Sequence, residues 1–239
     1  MAVVEQLRQE LFAGKRLETA PTAVFVFANG EPPDRRMTKL GGLPFRSADK
    51  AWPCDNRGRP LVFVGQLNFI DIPAADPPLP ADILLVFADL DDPLDVHNLR
   101  FEWVGMDLTG PLAHQAPGHA LDAVFGVMHK TWDVVALDEI SVEQIEKYRR
   151  YWLLLELEGT KIAGCPSWIQ GDESPDDDSL FIGSLGSISR APNQRWPWVN
   201  TERPVGEWDG EKRLLMWGDM GCLYLFWNGR EVLPVVQCY

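Results

Sequence analysis

"TKLGGLPF" (Thr38–Phe45) and "TKIAGCPSW" (Thr160–Trp168) are nearly the same phrase, written 122 residues apart. Each holds a lysine, a glycine-bearing turn and a proline. The echo continues along the chain. "FVGQL" (Phe63–Leu67) is answered by "FIGSL" (Phe181–Leu185), and "ILLVF" (Ile83–Phe87) by "CLYLF" (Cys222–Phe226). The order is the same both times: lysine turn, apolar strand, long loop, apolar strand. Two copies are too few for a solenoid, where each repeat only caps the next. They predict one domain over 1–239, built of two similar halves (about 1–100 and 140–239) that share a core, with a divergent middle segment.

The elements around the echo follow from periodicity. Val3, Val4, Leu7, Leu11 and Phe12 recur at helical spacing, which predicts an amphipathic helix over 3–13. A second helix is expected from Ser141 to near Gly159, with Ser141 and Gln144 in a capping-box arrangement. Strands are expected at 22–28, 61–70, 83–90, 99–104, 180–188, 222–227 and 232–239. The run at 61–70 is continuously apolar, the pattern of a strand buried on both faces. The expected class is therefore α+β and β-rich: internally duplicated, pseudo-twofold mixed sheets with a few flanking helices.

Composition narrows the function classes. The chain has 239 residues and a net charge of −13, with no compensating basic stripe. That charge repels phosphate backbones and anionic bilayers, so neither nucleic acid nor membrane is an expected partner. No apolar run approaches the roughly 20 residues a membrane helix needs. The N-terminus mixes charged and apolar residues, unlike a secretory leader. A cytoplasmic protein is expected, and a partner, if there is one, should be another protein with a basic surface. The four cysteines (Cys54, Cys165, Cys222, Cys238) contain no closely spaced pair of the kind zinc sites use, so no metal or cofactor is expected.

At this point the phrases acquire a family. "TKLGGLPF", "WPCDNRGRPLVFVGQLNF", "KIAGCPSWIQ", "LMWGDMGCLYLFW" and the closing "VVQCY" together resemble the YwqG-like family of bacterial proteins, over about residues 38–239. Those are domains of unknown function. The resemblance implies a β-rich, duplicated fold and supplies no catalytic residue to carry over. Some relatives sit near toxin–immunity gene clusters, which implies a protein-binding role. Two positions depart from the family pattern: Ala163 stands where a glycine is usual, and Ser184 where a glutamine is usual, as Gln66 is in the first copy.

Several residues then qualify as site candidates, each with a plainer role beside it. Lys39 and Lys161 precede glycine turns whose backbone N–H groups can help bind an anion. Their plainer role is an ion pair with a carboxylate of the opposite half. Asp219 sits between glycines in "WGDMG" and is either a carboxylate at a strand mouth or a turn-capping residue. The acidic stretches "DLDDPLDVH" and "GDESPDDDS" lack the glycine and glutamate positions of a calcium loop. No nucleophile elbow, zinc helix motif or phosphate-binding loop occurs. Among ten tryptophans, Trp52, Trp168, Trp196 and Trp198 either form a recognition surface or cover core edges. The leading expectation is a non-enzymatic protein-binding module using Trp52, Trp168, Trp196, Trp198 and Asp219. The alternative is a small-ligand binder or enzyme with Lys39, Lys161 and Asp219 converging between the halves.

Overall fold

The computed structural model describes residues 18–27, 34–70, 72, 75–134, 157–188 and 214–239. Ten strands appear among them, in chain order β1 (Thr19–Phe27), β2 (Lys39–Leu40), β3 (Val62–Asn68), β4 (Ile83–Ala88), β5 (Arg100–Val104), β6 (Gly126–Val134), β7 (Lys161–Ala163), β8 (Leu180–Gly186), β9 (Cys222–Trp227) and β10 (Val232–Gln237). They form a six-stranded sheet, β10-β9-β8-β7-β1-β6, and a four-stranded sheet, β2-β3-β4-β5. Every pairing is antiparallel.

This corrects the expected class. The sheets are not mixed, and the described residues hold no helix beyond a three-residue 3-10 turn at Val96–Asn98, so the architecture is β rather than α+β. The helix expected over 3–13 lies outside the described residues, as does the one from Ser141 but for its last residues, where Leu157 to Gly159 form a turn. The continuous apolar strands mislead because both faces are indeed buried, yet no parallel crossover does it. In β4, Leu84, Val86 and Ala88 face the core between the sheets. Ile83, Leu85 and Phe87 face outward, into a second small core roofed by Trp52 and Leu112 of the unit's own loops. β9 repeats this with Leu223, Leu225 and Trp227 inside and Cys222, Tyr224 and Phe226 outside, under Trp168 and Ile169.

β2–β5 and β7–β10 are thus two units with one plan. Lys39 pairs with Gln66 and Leu40 with Gly65; Lys161 pairs with Ser184 and Ile162 with Gly183. The second strand of each unit carries a bulge at the same place, after Phe63 and after Phe181. The repeated glycines face the lysine carbonyl of the adjacent strand, which a Cβ would approach to 3.1 Å at Gly65 and 2.6 Å at Gly183, and they also lie under the other unit. A Cβ on Gly65 would lie 3.5 Å from a Leu185 methyl, and one on Gly183 would lie 3.2 Å from a Leu67 methyl. Each unit's leucine seats over the other unit's glycine, so "GQL" and "GSL" are the two sides of one reciprocal contact.

The leading strands cross over. β1 precedes the first unit in the chain but pairs with β7 of the second, Ala23 opposite Ile162. Val124, just before β6, exchanges both backbone hydrogen bonds with Leu40 of the first unit, at 2.7 and 3.1 Å. β1 and β6 then pair with each other along their full length, Thr19 opposite Val134. The second unit's sheet thus takes in a strand that precedes the first unit, and the first unit is tied by a single bridge to the segment before β6. Among the described residues, no helix is long and apolar enough to cross a membrane.

Candidate functional site

A groove of about 620 Å³ lies at the junction of the units. The approach to β3, the end of β4 and the stretch 118–121 supply one side, and Leu214 and Met216 of the segment leading to β9 supply the other. Its floor is apolar, with Leu61 and Leu121 buried, and Met216 is exposed on its wall. Its rim is charged. The Arg59 guanidinium lies 2.7 Å from Asp55, 2.8 Å from Asp89 and 3.5 Å from Asp91. Desolvation would raise the Asp55 carboxyl, but the Arg59 N–H, the Arg59 side chain and the Arg57 N–H outweigh it and hold it below its usual value. Three carboxylates face one guanidinium, so the rim is acidic. An apolar floor with a few convergent polar groups and this volume is what a binding cleft needs.

A second, smaller feature lies on the outer face of the second unit. Lys161 is buried at 1% exposure, its Nζ 2.6 Å from Asp133 of β6 and 3.1 Å from the Ser167 hydroxyl. Asp133 also accepts the Cys165 N–H at 3.0 Å. The Tyr224 hydroxyl donates to the Ser167 carbonyl, and the Tyr239 hydroxyl donates to Glu158 at 2.9 Å. Between Glu158, Ser167, Tyr224 and Gly221 lies a cavity of about 20 Å³, room for one water-sized group. Burial pushes the Cys222 thiol up to about 12. Burial, with the Asp133 charge beside it, pushes Cys165 to about 11, and burial likewise raises the Tyr224 phenol, so all three are neutral at physiological pH.

The chain belongs to the DUF1963 family. DUF1963 is a domain of unknown function, and its match runs over residues 38–232, from the first lysine turn to the first residue of β10. No curated protein matches the chain.

Within the DUF1963 fold the sequence candidates are dispersed. Lys39 and Lys161 hold matching places, both buried. Lys161 does pair with a carboxylate, but with one from the middle segment. Trp52 packs edge-on to Phe87, centroids 5.4 Å apart, and its indole N–H donates to the Leu61 carbonyl at 2.8 Å. Trp168 lies over Tyr224 and Phe226, at 4.6 and 5.8 Å. The two tryptophans therefore roof the outer faces of different sheets. Trp196 and Trp198 lie outside the described residues. Asp219 is exposed in the turn before β9, on the segment that carries Met216 to the groove and Gly221 to the cavity.

The acidic stretches have structural uses here. Asp89 and Asp91 meet Arg59, Asp95 caps the 3-10 turn through the His97 N–H, and Asp172 and Asp176 close turns on Ser174 and Ser179. Among the described residues no group of three or more His, Cys, Asp or Glu is placed to hold a metal. Sequence reasoning passed over Arg59, His119 and Met216 of the groove and Glu158, Ser167 and Tyr239 of the cavity.

Proposed function

We propose that the chain is a non-enzymatic binding module that takes an extended, basic segment of a partner protein into the groove between its units. The observation that carries this reading is the pairing of an apolar floor with an acidic rim in a groove of about 620 Å³. An apolar side chain fills the floor, and flanking lysines or arginines meet Asp55, Asp89 and Asp91. The net charge of −13 steers such a segment in from a distance. The YwqG-like resemblance agrees in kind, since an immunity protein facing a nuclease-like toxin meets a basic surface. Lys161 supports the non-enzymatic part: its amino group is buried against Asp133 rather than open to a substrate.

Selection from a random-peptide display library tests this directly. Peptides with an apolar residue flanked by basic ones should be enriched. Their binding should weaken at least tenfold in Met216→Glu and fall with added salt. Enriched peptides without basic residues, or binding that ignores Met216→Glu, would overturn the reading.

A further inference from the structure

The segment 214–217, which walls the groove on the second unit's side, alternates as a strand does. Leu215 and Trp217 are buried at 1% and 0% exposure, while Leu214 and Met216 line the groove. One edge of the segment is in use. The Leu215 carbonyl accepts the Ile188 N–H at 2.9 Å, and the Trp217 N–H donates to the Ser187 hydroxyl at 2.8 Å. The C=O and N–H of a trans peptide point in opposite directions. Met216 shares one peptide with the Leu215 carbonyl and the next with the Trp217 N–H, so its own N–H and C=O both face away from the 187–188 stretch. Among the described residues neither of them makes a hydrogen bond.

A residue with an exposed side chain and both backbone groups unpaired is the smallest usable strand edge. A chain lying antiparallel to it can exchange two hydrogen bonds with Met216 through a single residue. Directly opposite residues send their side chains to the same face of the ladder. That residue of the partner therefore points, as Met216 does, into the groove and over its apolar floor. Its immediate neighbours point to the other face. The residues two positions away return to the groove's face, where Asp55, Asp89 and Asp91 stand around Arg59.

We infer that the partner segment adds itself as a strand to Met216, and that the groove reads it in the register basic-x-apolar-x-basic. The inference rests on the groove's reading and adds to it the backbone pairing and the spacing. The apolar side chain fills the floor, and the two basic side chains meet three carboxylates that share one guanidinium. A segment of the same composition with its basic residues directly beside the apolar one would turn those charges away from the rim.

The experiment titrates the full chain by NMR with two isomeric peptides, acetyl-Thr-Lys-Ser-Leu-Ser-Lys-Thr-amide and acetyl-Thr-Ser-Lys-Leu-Lys-Ser-Thr-amide. The first should bind at least tenfold more tightly. Replacing its leucine N–H by an ester oxygen removes the donor to the Met216 carbonyl and should weaken binding about tenfold, whereas the same change at the serine before it should not. In the free chain the Met216 amide hydrogen should exchange rapidly with solvent and slow on binding, with that of Trp217 protected in both states. Met216→Pro removes the N–H and keeps an apolar side chain, and should also weaken the first peptide about tenfold. Should that variant fail to fold, the isomers, the esters and the exchange rates carry the test. Equal binding of the two isomers, ester effects that do not alternate, or a slowly exchanging Met216 amide in the free chain would each overturn the strand pairing and leave the groove's reading standing. Binding of neither isomer would also overturn the inference, and the library selection then decides the groove's reading separately.

Discussion

Both units roof an apolar outer core with a tryptophan, but beneath the roof the first places one glutamine where the second places a serine, and the second adds a thiol and a phenol. Ile83 and Leu85 in β4 become Cys222 and Tyr224 in β9, while Phe45 becomes Ser167. The backbone barely registers the change. What differs is how each roof is tied down. In the first unit Arg46 is buried with its Nε 2.7 Å from Glu102, donates to the Lys50 carbonyl at 2.7 Å, and anchors the loop that carries Trp52. In the second, Gln237 accepts the N–H groups of Ile169 and Gln170 at 2.9 and 3.0 Å and so holds the loop that carries Trp168. A shared scaffold with one divergent face is what allows a duplicated protein to keep its stability in one copy and vary its chemistry in the other.

The most damaging way to break the comparison is to unpair the second unit's buried ion pair. Lys161→Met leaves the Asp133 carboxylate 3% exposed without its cation. A loss of about 3–5 kcal/mol is expected, read as a lower urea midpoint with an unchanged slope. Adding Asp133→Leu should restore much of it, because an apolar pair of similar volume removes the stranded charge. An unmoved midpoint in Lys161→Met would mean the pair contributes nothing.

Next in size is the exchange that imports the second unit's serine into the first. Gln66→Ser strips the partner from the Phe45 N–H and from the Arg35 and Met37 carbonyls. Buried groups left unmatched should cost about 2–4 kcal/mol in the same unfolding measurement. The reverse change, Ser184→Gln, should cost little or stabilise. Equal effects of both exchanges would show that the two sites are not equivalent after all.

The sequence made the duplication visible because its repeated residues are the ones the core dictates. Gly65 and Gly183 must be small because a Cβ would lie 3.1 and 2.6 Å from the Lys39 and Lys161 carbonyls of the neighbouring strand, and the alternation of β4 and β9 must feed two cores at once. It misled on class because a continuous apolar strand reports burial without saying what does the burying. A loop with a tryptophan does here what a helix does in an α/β protein. β6 escaped notice because "GVMHKTWDV" mixes charge and apolar residues on a strand with Val127 and Trp132 exposed, so its alternation is weak. The candidate residues were sought as conspicuous types: lysines, tryptophans, an aspartate between glycines. The groove is instead lined by ordinary types, with Leu61 and Leu121 at its floor and Met216 on its wall, which no such search singles out.

Alkaline pH should separate the units more gently. Cys222, with its proton held to about 12, stands where the first unit has Ile83, which has no proton to lose. An unfolded thiol ionises near pH 8.5–9. Above that value the unfolded chain gives up a proton that the native chain keeps, so stability falls as pH rises toward the folded value. The expected slope from this thiol is on the order of 1 kcal/mol per pH unit. Stability measured by urea unfolding between pH 8 and pH 10 should decline less steeply in Cys222→Val, about pH values where the two thiol states differ. A slope identical to that of the unaltered chain would remove Cys222 from the account.

The smallest effect concerns the turn itself. Gly41 and Ala163 hold the same place, with φ of 64° and 58°. In the first unit only glycine fits, since a Cβ there would lie 2.4 Å from the Asp122 carbonyl. In the second unit alanine stands in a left-handed conformation that costs an L-residue about 1–2 kcal/mol. Ala163→Gly relieves that strain. It also loosens the unfolded chain by about 0.4–1 kcal/mol and gives up a methyl packed against the core. The net gain should therefore be only about 0.5 kcal/mol, a small upward shift in thermal midpoint. A clear loss of stability instead would show that the methyl's packing outweighs the backbone strain, and that the second unit replaced glycine for the sake of its core.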